Sequence, residues 1–261
     1  MYRYKINECL TEIDEEITPD DVDVSSFKLK DTLCPDFWED DKFDTRARRT
    51  LLIIARDFIE DLEIDDNVKD VTITGSLANY NWDEDNSDID LHIVMDFAEI
   101  SDDKEILKKY FDAERKSWNK LHSDISIYGY PVEVYVQDID EEHRSSGIYS
   151  LLKDKWIKKP SEAHLKDNDT NFDNIQSIVS DIMNLIDELE GELEYNDNPE
   201  EVYTKADELF NQIKEIRKSG METRNPEMSD GNLVFKSLRR NGYTEKLLDI
   251  RTKAYDLFNS L

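Results

Sequence analysis

The sequence predicts an α+β chain: a mixed β-sheet flanked by helices over residues 45–143, then an all-helical segment over 144–261. Three observations predict it. Short runs at 68–74, 89–95 and 132–136 alternate with period two, as half-buried strands do. Segments 45–62 and 101–122 repeat apolar residues every three or four positions. Beyond residue 160 only the helical period persists, and residues 161–231 carry 19 acidic against 6 basic side chains.

Residues 1–44 read as an acidic N-terminal arm, loosely held, with Phe37 and Trp38 of "CPDFWEDDKF" pinning it to the body. From Thr45 a helix follows, with Leu51, Leu52, Ala55, Phe58, Ile59 and Leu62 on one stripe. "VKDVTIT" is a strand. "SDIDLHIVMDF" is a second strand, with Ile89, Leu91, Ile93 and Met95 on its core face. Asp88, Asp90 and His92 lie on the opposite face, the two carboxylates about 6–7 Å apart by strand rise. Residues 101–122 form a helix with Ser101 as its N-cap. A hairpin turns at "GYP", where Gly129 supplies turn freedom, and its second strand alternates Val132, Val134 and Val136 with Glu133, Tyr135 and Gln137. The last segment contains helices marked by Ile175 to Leu189, Ala206 to Ile216 and Leu247 to Phe258, with Pro199 at a helix start. Short connections favour antiparallel neighbours.

Bulk properties narrow the function. The 261 residues carry a formal net charge of −29, which keeps the chain soluble and disfavours long nucleic acid, whose binding needs Lys and Arg to displace counterions. No apolar run reaches membrane-spanning length, so no membrane partner is expected. The N-terminus lacks the pattern of a signal peptide. The two cysteines, Cys9 and Cys34, are too few for a zinc site. A reduced cytoplasmic protein is the expectation. Aromatic residues make up 10% of the chain, which argues for a folded chain over a disordered one.

"TITGSLANYNWDEDNSDIDLHIVMDF" places a phosphate-cradling turn, "TGS", shortly before "DEDNSDID", which carries five acidic residues. A divalent metal between them reconciles the two. Attack of a hydroxyl on an α-phosphate leaves charge on the attacking, leaving and bridging oxygens, and two Mg²⁺ ions about 3.5–4 Å apart can hold those oxygens. Asp88 and Asp90 would bridge the ions; Glu133 would complete the catalytic metal and help deprotonate the attacking hydroxyl. The backbone amides of Gly75 and Ser76 would bind the β- and γ-phosphates, with glycine required because a Cβ would block the polyphosphate.

These motifs resemble the nucleotidyltransferase superfamily of the DNA polymerase β type: a hydrophobic strand, Gly-Ser, a spacer, Asp-x-Asp between hydrophobics, and a distant third acid in a strand. More narrowly, "GSLANYNW…SDIDLHIV", "GYPVEVYVQD", "GIYSLLKDKWIKKP" and "NLVFKSLRRNGYTEKLLDIRTKAYDLF" resemble predicted nucleotidyltransferases of tailed bacteriophages. The resemblance assigns nucleotide holding to Gly75 and Ser76, and metal binding to Asp88, Asp90 and Glu133. It implies Mg²⁺ or Mn²⁺ as cofactor and transfer of a nucleoside monophosphate from an NTP to a small molecule, a protein or an RNA end. Glu133 stands where that superfamily often has Asp.

Other features have competing readings. Lys153 and Lys155, in the basic stretch 144–160, are nucleotide-phosphate ligands or belong to a simple basic helix. His92 touches substrate or is a packed histidine. Asn79, Tyr80 and Trp82 contact the nucleotide or anchor their loop. Arg239 and Arg240 bind an acceptor or pair with the acidic middle segment. The helical segment would shape the acceptor site. The rival to catalysis is an acidic interaction protein or nucleic-acid mimic that retains only the fold.

Overall fold

A computed structural model describes residues 16–62, 68–143, 145–161, 170–195, 198–223 and 225–260. The chain divides into two compact units: Ser25–Asp169, and Met1–Val24 together with Thr170–Leu261. These divisions fall elsewhere than at 44 and 143, because the arm splits between the units and the sheet continues past 143.

In the unit Ser25–Asp169, Asp44 caps helix α1 (Thr45–Asp61) by accepting from the Ala47 amide at 2.8 Å, and the buried stripe is Ala47, Leu51, Ile54, Ala55, Phe58 and Ile59. Ahead of it, β1 (Trp38–Glu39) and β2 (Lys42–Phe43) form a small hairpin that buries Phe37, Trp38 and Phe43 in the core. The central strands are β3 (Val68–Thr74), β4 (Ile89–Met95), β5 (Ser126–Ile127) and β6 (Tyr130–Asp138). Between β4 and β5 lies α2 (Lys104–Leu121), capped by Asp103, whose side chain accepts from the Ile106 amide; the expected cap Ser101 instead accepts from the Asp103 amide. Tyr128 and Gly129, both left-handed, make the two-residue turn between β5 and β6.

The stretch 144–160 corrects the helical expectation: it supplies β7 (Ile148–Ser150) and β8 (Lys155–Lys158). β7 pairs with β3 and covers what would otherwise be an open edge. A three-residue strand is too short to display a period. The six-stranded sheet therefore runs β5-β6-β4-β3-β7-β8, parallel between β4 and β6 and antiparallel elsewhere. Its apolar face, with Val71, Ile73, Ile89, Leu91, Ile93, Met95, Val132 and Val134, shares one core with the α1 stripe. β5 pairs only with the first residues of β6. Farther along that edge the Asn119 side chain of α2 donates to the Val134 carbonyl at 3.1 Å and accepts its amide at 3.0 Å, standing in for a strand.

The second unit consists of α3 (Phe172–Tyr195), α4 (Pro199–Met221), α5 (Asp230–Arg240) and α6 (Tyr243–Asn259). Buried stripes at Ile175, Val179, Ile182, Met183, Ile186 and Leu189 of α3, and Val202, Ala206, Leu209 and Ile213 of α4, follow the expected spacing. Part of the acidic arm is strapped to α3: Asn184 bonds both the amide and the carbonyl of Ile17, and Gln176 donates to the Val22 carbonyl. That corrects the loose arm for residues 16–24; residues 1–15 lie outside the described residues. Lys246 pairs with Asp187 and Glu190, and Arg251 with Asp207. Cys34 is a buried free thiol, and Cys9 lies outside the described residues. Among the described residues no helix is long and apolar enough to cross a membrane.

Candidate active site

Strand register positions the acids. β4 and β6 run side by side with Asp90 opposite Glu133 and His92 opposite Tyr135, so these four side chains leave one face of the sheet, with neighbouring strands about 4.8 Å apart. Asp88 stands just before β4, two residues ahead of Asp90 and in step with it. All three carboxylates are half-buried. The Tyr135 phenol donates to Glu133 Oε2. Burial first, then the negative fields of Asp90 and Glu133, the hydrogen bond to Glu133 and the field of Asp88, hold its proton far above the ordinary phenol range. All three carboxylates thus lie within electrostatic reach of one hydroxyl.

Among the described residues no three carboxylate, imidazole or thiol groups close a metal cage on their own. A Mg²⁺ shared with substrate phosphates does not need one, since that ion keeps several waters and takes one or two carboxylates. The donor set fits a hard divalent cation, being half-buried carboxylate oxygens on rigid strands.

The Gly-Ser turn is locked against the same acids. Gly75 has φ 72° and ψ −157°, a region occupied essentially only by glycine. A Cβ there would lie 1.9 Å from Asp90 Oδ2. The nearest reason for glycine is therefore the Asp90 carboxylate, ahead of any polyphosphate. Ser76 opens a 3-10 turn over Ser76–Ala78, and its Oγ lies 2.8 Å from Ser87 Oγ, which also accepts the Asp83 amide at 2.9 Å. This bridge ties the turn to the residue before Asp88. Trp38 Nε1 donates to the Leu77 carbonyl at 2.8 Å, and Gly147 passes so close to the Ala78 carbonyl oxygen that a Cβ would come within 1.8 Å of it.

Beyond the acids the polar face continues into a cleft of about 590 Å³ lined by Thr74, His92, Arg115, Tyr135, Gln137 and His143, among others. The Tyr135 ring stacks on His92 at 5.0 Å, and the Arg115 guanidinium lies 4.7 Å from its centroid. His92 Nδ1 is 3.0 Å from Gln137 Oε1. Burial chiefly, with the fields of His143 and Arg115 and against the Gln137 hydrogen bond, pushes His92 down to about 4. His92 is a neutral, packed histidine at neutral pH.

The two lysines stand elsewhere. Lys153 Nζ pairs with Asp70 Oδ2 at 2.7 Å, and Asp70, only 4% exposed, also accepts from Ser150 Oγ at 2.6 Å. Asp70 is four residues from Thr74, about 13 Å along β3, at the end remote from Gly75. Lys155 opens β8, two strands out from β3. A buried aspartate pairs with Lys153, and strand pairing places Lys155 at the sheet's outer edge. Asn79, Tyr80 and Trp82 anchor their loop: Asn79 donates to Ser146 Oγ, the Tyr80 carbonyl accepts the Lys30 amide at 2.7 Å, and Trp82 Nε1 donates to the Thr32 carbonyl at 2.8 Å. Sequence reasoning missed Tyr135, Arg115 and Ser87. Tyr135 was legible as the next residue after Glu133 on the same face.

Residues 52–153 match the family described as the nucleotidyltransferase domain, a span that includes Gly75, Ser76, Asp88, Asp90 and Glu133. No curated protein matches the chain. Among solved structures, a STING-associated CdnE c-di-GMP synthase from Capnocytophaga granulosa aligns at 15% identity over 83% of this chain and 84% of that chain, with a TM-score of 0.21. So loose a superposition says nothing about this chain's chemistry.

Two outcomes follow from the geometry. Gly75→Ala is expected to lose about 1–3 kcal/mol from backbone strain alone, read by urea unfolding; a midpoint equal to wild type contradicts the wedge against Asp90. For His92, the folded form resists protonation while the unfolded chain takes a proton near pH 6.5, so stability falls as pH drops from 6.5 towards about 4. His92→Gln cannot titrate and should lose less stability across that window; parallel pH curves for the two proteins contradict the assignment.

Proposed function

Because residues 52–153 match the nucleotidyltransferase domain family, we propose that the chain transfers a nucleoside monophosphate from an NTP to a hydroxyl acceptor, with Mg²⁺ or Mn²⁺ and release of pyrophosphate. The observation that carries the reading is the register that sets Asp90 beside Glu133, in step with Asp88 and against Gly75. In this reading Asp88, Asp90 and Glu133 would together hold two divalent ions shared with the substrate phosphates. When bound, those ions would neutralise the polyphosphate and favour ionisation of the acceptor hydroxyl.

The chain's own residues supply the rest. Gly75 and Ser76 present turn amides to the polyphosphate, and the Ser87 contact keeps Ser76 in place. Glu133, held through one oxygen by Tyr135, accepts the acceptor's proton at the other. The acceptor oxygen bonds to the α-phosphorus while the α–β bridging bond breaks, and pyrophosphate carries off that electron pair. The net charge of −29 favours a small molecule, a protein side chain or an RNA end over long nucleic acid as acceptor.

A second reading, a non-catalytic acidic interaction protein on the same fold, draws on the 19 acidic and 6 basic residues of 161–231. Incubation with α-labelled NTPs, Mg²⁺ and candidate acceptors separates the two. Label transfer and pyrophosphate release are expected, and Asp88→Asn or Asp90→Asn should lower both by at least about 100-fold, the upper end of the cost of losing a supporting partner. Transfer that persists in both variants contradicts the assignment, and no NTP binding by wild type favours the acidic interaction protein.

A further inference from the structure

Glu133 can serve nucleotidyl transfer only if its carboxylate is fixed. A glutamate has one more rotatable bond than an aspartate, and an acid that must meet an ion at a set position gains from a restraint. On this strand the restraint is two residues away. Tyr135 leaves the same face as Glu133 and its hydroxyl donates to Glu133 Oε2.

Tyr135 is itself held. His92, from the neighbouring strand β4, stacks on its ring with an interplanar angle of 19°. Arg115, from α2, lies 4.7 Å from the ring centroid. α2 packs along the other edge of β6, where Asn119 bonds Val134. Each neighbour is tied in turn: Gln137 Oε1 lies 3.0 Å from His92 Nδ1, and Arg115 Nε donates to Asp112 at 2.8 Å. A ring with an imidazole stacked on it and a guanidinium within cation–π reach has little freedom about χ1, the torsion that sets where its hydroxyl oxygen lies.

We propose that Tyr135 is the positioning residue of the third acid: its hydroxyl, aimed by the His92 and Arg115 stack, selects the Glu133 rotamer that ligates the divalent ion. The inference rests on the nucleotidyl-transfer reading. It assigns Tyr135 no contact with substrate.

The test is direct Mn²⁺ binding to the full chain, followed by electron paramagnetic resonance without nucleotide and with a non-hydrolysable NTP. Tyr135→Phe keeps the ring and its stack and removes only the hydroxyl. Its Mn²⁺ dissociation constant with the analogue bound should rise about 10–100-fold, as loss of a partner behind a metal ligand does. Its thermal midpoint should stay near wild type. In a Glu133→Gln background the same change should add nothing, because a residue acting only through Glu133 has nothing left to act on. A Tyr135→Phe affinity equal to wild type overturns the inference and leaves nucleotidyl transfer standing. An additive loss in the Glu133→Gln background, or a thermal midpoint lowered by many degrees, marks Tyr135 as a packing residue and also overturns it. Wild type that binds no Mn²⁺ with the analogue overturns the inference and the metal-dependent reading together.

Discussion

Carboxylates at strand spacing repel one another, and this sheet holds Asp90 and Glu133 in that relation with Asp88 close by. Two unit charges about 5 Å apart at an effective dielectric of about 20 interact by roughly 3 kcal/mol. Side-chain flexibility would relieve such strain on a loop. Here the backbone cannot move apart, because the parallel register runs from Ile89 opposite Val132 to Met95 opposite Asp138, and the reverse face of both strands is packed in the core. Hydrophobic burial on one side of the sheet therefore maintains electrostatic tension on the other.

The same economy governs the turn beside the acids. Gly75 accepts a backbone conformation closed to other residues and brings its backbone against Asp90. Trp38, Ser87 and Gly147 then fasten the turn from three separate segments. A polyphosphate site built on such a turn is pre-organised, so less ordering entropy is lost on binding. The polar cleft, of small-molecule size, belongs to the same unit and shares Thr74, His92 and Tyr135 with the face that carries the acids.

Much of this was legible in the sequence, for identifiable reasons. The alternation of β4 was unambiguous because one face is core and the other carries Asp90 and His92. The Gly-Ser and Asp-x-Asp spacing located the turn and the acids because both depend on local backbone geometry. β7 and β8 were missed because the pairing of β7 with β3 is non-local, and strands of three and four residues show no period. Nothing near Lys153 in sequence announces Asp70, its partner across the sheet. The stack on Tyr135 joins residues of α2, β4 and β6, an arrangement that only tertiary packing creates. The arm was read as loose because its contacts with Gln176 and Asn184 span most of the chain.

The central claim is that Asp88, Asp90 and Glu133 jointly face a divalent ion beside the Gly75 turn. A crystal structure with Mn²⁺ and an NTP analogue that cannot be cleaved between its α- and β-phosphorus tests it most directly, through the anomalous signal of the metal. The account predicts metal peaks within coordination distance of all three carboxylates, with the polyphosphate against the amides of Gly75 and Ser76. Metal bound elsewhere, or Glu133 turned away from it, would contradict the account.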